Sequence, residues 1–132
     1  MNMDYKNLMV GDWVRFRNDY PQKELQGKIA KVRGINGRVD VRTLDGEYRN
    51  SEHPNWLEPI PITPEILDDN GWEIVSASLA SEIWWLDAEE TEIKLEEFGN
   101  GKYYYREELD ILYVHELQHL LKLCGIKQEL KL

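Results

Sequence analysis

A chain of 132 residues that is 42% hydrophobic and 11% aromatic suits one compact domain or two very small ones, and it is too apolar to stay disordered. Its net charge of −9 is uneven, since residues 1–60 hold 10 Lys/Arg against 9 Asp/Glu whereas residues 61–132 hold 6 against 16. The acidic half repels phosphate backbones and disfavours nonspecific nucleic-acid binding by the whole chain, although the first half stays open to it locally. No apolar run approaches the length of a bilayer crossing, and the start, Met1-Asn2-Met3-Asp4-Tyr5-Lys6, lacks the basic-then-apolar layout of a secretory signal. The single cysteine, Cys124, allows no intramolecular disulfide, so a reducing, cytoplasmic setting is expected.

In chain order, Val10-Gly11-Asp12-Trp13-Val14-Arg15-Phe16-Arg17 opens with a glycine turn and then alternates. That pattern predicts a half-buried strand with Val14 and Phe16 inward and Trp13, Arg15 and Arg17 outward. Segments 27–35 and 38–44 flank Asn36-Gly37, which predicts a hairpin with positive φ at both turn residues. Asp45-Gly46 predicts a second turn into Glu47-Tyr48-Arg49, and Asn55-Trp56-Leu57-Glu58 closes the set. Five short strands, a long first loop over residues 18–26 and tight later turns predict an SH3-like barrel over residues 1–60.

Pro59, Pro61 and Pro64 stop the last strand, and Thr63 starts a short helix, 64–70, as N-cap with Pro64 in the first helical position. Residues 72–76, 83–86, 91–98 and 103–105 then read as a β-meander, with Glu89-Glu90-Thr91 as a solvated connection. The span 110–125 predicts a helix capped by Asp110 and ended by Gly125, with Leu109, Leu112, Tyr113, Leu117, Leu120, Leu121, Leu123 and Cys124 on one apolar arc. His115, Gln118, His119 and Lys122 fall on the opposite, solvated side. The expectation is therefore an α+β protein: the barrel, then a meander packed against the terminal amphipathic helix, with residues 61–132 as a second unit or as part of one shared core.

Three groups of residues carry candidate chemistry. His115-Glu116-x-x-His119 spells the zincin motif, in which two histidines one helical turn apart hold zinc and the glutamate activates the bound water. Only thirteen residues follow His119 and no third ligand is evident, so the favoured reading is a polar helix face with Glu116 reaching a backbone donor or a basic partner. No cofactor is then expected, with zinc on His115 and His119 as the alternative. The surface bearing Trp13, Arg15, Arg17, Lys31, Arg33, Arg38 and Arg42 interleaves aromatic and basic side chains as nucleic-acid-binding barrels do, diluted by Asp12, Asp40 and Asp45. Finally, strand alternation sends one of Trp84 and Trp85 inward and the other outward. With Tyr103–Tyr105 nearby, that predicts a protein partner or self-association.

Three stretches together, Val10–Val14, Leu57–Leu67 running to Asn70-Gly71-Trp72, and Val114–Gln118 with Gly125 and Glu129-Leu130, resemble a group of small uncharacterised proteins predicted in Bacteroidetes genomes and in their phages and mobile elements. The resemblance implies a phage or mobile-element origin and a barrel-plus-meander layout, with no activity attached; its pattern asks for residues 115, 117 and 118 but not for a histidine at 119. The chain is thus expected to be a non-enzymatic binding or adaptor module with a protein partner. The alternatives are a zinc-dependent hydrolase, nucleic-acid contact through the barrel, and an acidic decoy that occupies a DNA-binding protein through the 61–132 half.

Overall fold

The structure, a computed structural model, describes residues 8–88, 91–106 and 109–132. Glu89 and Glu90 of the expected acidic connection, and the first seven residues, lie outside the described residues. The chain is mostly β, with antiparallel sheets, one of them curled as a half-barrel, and a helix near the C-terminus. It divides into two compact units, Met1–Ile60 and Pro61–Leu132.

In the first unit, β1 (Trp13–Phe16), β2 (Ile29–Ile35), β3 (Val39–Thr43), β4 (Arg49–Glu52) and β5 (Leu57–Glu58) form one sheet in the order β4-β3-β2-β1-β5. Every neighbouring pair is antiparallel. The alternation works as expected: Val14 and Phe16 are fully buried, while Trp13 and Arg15 are half-buried. Ala30, Val32, Val39, Val41 and Leu57 complete a core with no solvent contact. The long loop after β1 folds onto that core, placing Tyr20 and Leu25 inside. Gln26 secures it by donating from Nε2 to the Tyr20 carbonyl at 2.8 Å.

The β2–β3 turn differs from expectation. Ile35 pairs with Val39, so three residues, Asn36, Gly37 and Arg38, make the connection. Gly37 has φ +71°, while Arg106 is the only described non-glycine residue with positive φ, so Asn36 keeps an ordinary φ. A three-residue turn needs the left-handed conformation once, at glycine, where a two-residue turn needs it twice.

In the second unit, Thr63 caps α1 (Pro64–Asp69) by accepting at Oγ1 from the Ile66 backbone N–H, 3.2 Å away. Then β6 (Glu73–Ala77), β7 (Glu82–Ala88), β8 (Thr91–Glu97), β9 (Tyr103–Tyr105) and β10 (Leu109–Ile111) form an antiparallel meander in simple sequence order. The second helix, α2, spans Val114–Leu123.

The predicted helix start at Asp110 is therefore corrected. Leu109, Asp110 and Ile111 pair with Tyr105, Tyr104 and Tyr103 as a strand, and Leu109 is exposed rather than on the helix's apolar arc. The helix begins only after Tyr113, because Glu116 turns back and its Oε1 accepts the backbone N–H groups of Leu112 and Tyr113, each at 3.0 Å. Leu117, Leu120 and Leu121 are buried, whereas Leu123 is exposed. At the helix end the Cys124 thiol donates to Tyr105 Oη on β9 at 3.8 Å. Beyond it the tail is irregular, yet Ile126 and Leu130 are buried.

Candidate functional site

The cross-strand register sets basic and aromatic residues of the first unit in one row, Trp13 opposite Lys31, Lys31 opposite Arg42 and Arg42 opposite Arg49, and several charges near that row are paired locally. Trp13 and Lys31 are cross-strand partners, and the Lys31 ammonium lies 5.3 Å from the Trp13 ring centre, a cation–π contact. Arg15 is held by Glu58 across the β1–β5 pair, Nε to Oε1 at 2.8 Å, and Arg17 by Asp19 at 3.1 Å. Arg33 is exposed where the register of β2 shifts between Val32 and Gly34, a bulge. It lines a polar hollow of about 420 Å³ with Asp40, Arg49 and Ser51.

The expected acidic dilution also changes character. Asp12 is fully buried and its Oδ2 accepts from the Met9 backbone N–H at 2.8 Å, so it shapes the loop before β1. The carboxyl of Asp45 is held down at about 2, first by the Thr43 hydroxyl and then by the Glu47 backbone N–H, and Lys28 sits 3.3 Å away. Three of the unit's basic residues, Arg15, Arg17 and Lys28, are thus paired with carboxylates.

On α2, His115 is buried at 8% exposure and not on the solvated side. Its ring stacks on Tyr113 with centres 6.0 Å apart and planes 9° apart, and it meets His119 edge-on at 5.7 Å. The helical wheel failed here because the shorter helix puts Tyr113 at its mouth, where an aromatic ring covers the first-turn histidine. Among the described residues no group of three or more His, Cys, Asp or Glu side chains is placed to hold a metal. The Glu116 carboxylate is committed to the two N–H groups at the helix start, the backbone-donor role read from the sequence. Glu116→Ala is expected to lower the stability of the second unit by about 1 kcal/mol, with Glu116→Gln restoring most of it because glutamine offers the same acceptor oxygen. Urea melts of the three proteins check this, and an equal loss in both variants would overturn it.

A third place in the fold was not singled out from the sequence. Between α1 and the start of β6 runs a groove of about 500 Å³. Pro64, Trp72, Ile74 and Trp84 supply its apolar lining, and Glu65, Asp68 and Glu73 its charge. Trp84 is buried while its neighbour Trp85 is half-buried and donates from Nε1 to Glu92 at 3.0 Å, so the expected one-in, one-out arrangement holds. Trp72, read as the first residue of a strand, precedes β6 and is only 1% exposed. Its indole N–H is buried and has no hydrogen-bond partner among the described residues.

Alongside the groove, β6 is the outer strand of the meander, paired to β7 on one side only. All five of its residues are exposed, among them Ile74 at 47% and Val75 at 50%. The residue pattern of 72–76 predicts a strand but carries no sign that it ends the sheet, since edge position comes from topology. Among the described residues no helix is long and apolar enough to cross a membrane. No family model and no curated protein matches the chain.

Proposed function

We propose that the chain is a non-enzymatic binding module of phage or mobile-element type, with an SH3-like barrel as its first unit and a protein partner docked on its second. The observation that carries this reading is β6, an outer strand exposed along its whole length that presents Ile74 and Val75 beside an aromatic groove. Free strand edges attract another chain, and soluble proteins usually blunt or cover them. Support for the SH3-like assignment comes from the strand order β4-β3-β2-β1-β5 and from the 3₁₀ turn Pro54–Trp56 directly ahead of the last strand. A protein partner is favoured over nucleic acid because Arg15, Arg17 and Lys28 already have carboxylates and residues 61–132 carry ten more acidic than basic residues.

Selection of random displayed peptides on the full chain tests the proposal. Enriched peptides are expected, and they should lose binding to the Ile74→Ser/Val75→Ser variant, whose exposed substitutions leave the fold intact. No enrichment over a blank support, or peptides indifferent to the double substitution, would remove β6 as a protein-docking strand.

A further inference from the structure

The groove and the strand edge together specify the chemistry of the partner, on the premise that β6 docks protein. We infer that the occupant is a short, extended, basic segment of another protein, added as a strand along the Glu73–Ile74 end of β6 with a lysine or arginine side chain in the groove.

Charge is the first argument. Glu65 and Asp68 are exposed residues one helical turn apart on α1, and Glu73 opens β6. Three carboxylates line one hollow, and none of them appears in an ion pair among the described residues. An apolar floor under an acidic rim suits a side chain with a long aliphatic stem and a cationic head, which buries the stem against Pro64 and Trp84 and leaves the head among the carboxylates. Volume agrees, since about 500 Å³ admits one or two such side chains and excludes a folded domain.

The second argument is independent of charge. β6 pairs with β7 on one side only and all five of its residues are exposed, so its outer edge offers backbone N–H and C=O groups to an added strand. The amides and carbonyls of an extended segment can meet that edge; a bare cation cannot.

The bulge in β6, where register shifts between Ile74 and Ser76, limits the length of that pairing. It breaks the regular ladder that a second copy of β6 would need, and leaves the two residues beside the groove as the docking end. A short foreign segment is favoured over self-association for this reason.

Anisotropy of a labelled peptide of alternating lysine and valine, titrated with the full chain, tests the inference against two controls. One replaces each lysine by glutamate; the other is methylated on alternate backbone nitrogens. The lysine peptide is expected to bind about tenfold more weakly to Glu65→Gln/Asp68→Asn/Glu73→Gln, to outcompete both controls by about tenfold, and to shift the Trp72 indole N–H resonance. Equal binding by the triple variant or by the glutamate peptide overturns the basic specificity. Equal binding by the methylated peptide overturns strand addition, and a small-angle scattering mass that doubles without peptide assigns the edge to a second copy instead. If displayed-peptide selection yields acidic or uncharged binders at β6, the docking strand stands and this inference falls; if it yields none, the premise itself has failed.

Discussion

Replacing Asn70 by alanine is expected to cost the second unit roughly 3 kcal/mol in a urea titration. Asn70 follows α1 and is 4% exposed. Its Nδ2 donates to the carbonyls of Ile66 and Lys131, both at 2.8 Å, and its Oδ1 accepts from the Lys131 backbone N–H at 2.6 Å. Its own carbonyl accepts from Gln128 Nε2 at 2.8 Å. The side-chain amide thus imitates a strand neighbour for the irregular tail, joining residues 61 positions apart. Alanine removes three of these bonds and leaves partly buried backbone groups without partners, each worth about 1 kcal/mol or more. Asn70→Asp keeps the acceptor but turns both donated bonds into contacts between oxygens, so it should be at least as damaging. Hydrogen exchange over residues 126–131 separates local from global loss: the tail is expected to exchange faster even where the sheet does not. Unchanged exchange there would mean that Ile126 and Leu130 hold the tail by burial alone.

How far the fold was legible depends on whether its cause was local. The alternation of Val14 and Phe16 against Trp13 and Arg15, and the Thr63-Pro64 helix start, are short-range features whose physics lies within a few residues. The start of α2 was misplaced because Leu109 and Leu112 continue a helical spacing, while the competing partner of Leu109–Ile111, the strand Tyr103–Tyr105, is remote in pattern and invisible to periodicity. The N-terminal signal that counted was Glu116 reaching back to Tyr113, without the serine, threonine or aspartate that usually marks such a start.

The same distinction governs the candidate site. Trp84 and Trp85 could be sorted into inward and outward from alternation alone, because that needs only the strand. The groove could not be read, since Glu65 and Asp68 come from α1, Glu73 and Ile74 from an edge strand, and Trp84 from the strand next to it. Arg42 and Arg49 fall in register with Trp13 and Lys31, which cross-strand pairing shows and spacing along one strand does not. Asp12 was counted as a surface charge although it folds inward onto the Met9 N–H. Local patterns reveal which face a residue takes; only the assembled sheet reveals which residues share a face.

A second large effect is expected where the first unit buries a carboxyl group. Glu52, 4% exposed at the end of β4, accepts at one oxygen from Tyr20 Oη at 2.7 Å and from Tyr48 Oη at 2.6 Å. The two phenol oxygens are themselves 3.1 Å apart. Around them Phe16, Tyr20, Tyr48 and Trp56 meet edge to face, with ring centres 4.9–5.6 Å apart. Glu52→Ala removes the acceptor both phenols share and should cost roughly 2–4 kcal/mol, whereas Glu52→Gln, which keeps an oxygen in place, should cost about half of that. The same cluster sets an alkaline limit. Burial first, then the hydrogen bonds to Tyr48 and Glu52, push the Tyr20 phenol well above its ordinary value of 10.0. A folded-state pKa raised in this way contributes stability that is complete below the unfolded value near 10 and is lost as pH rises beyond it, at about 1.4 kcal/mol per pH unit. Tyr103, pushed up to about 12 chiefly by burial in the second unit, adds its own slope between those values. Tyr20→Phe should therefore be less stable than wild type at neutral pH and lose less on going from about pH 9 to about pH 11. Urea midpoints of the full chain at the two pH values decide it: parallel losses in wild type and variant would show that the Tyr20 proton is not tied to folding.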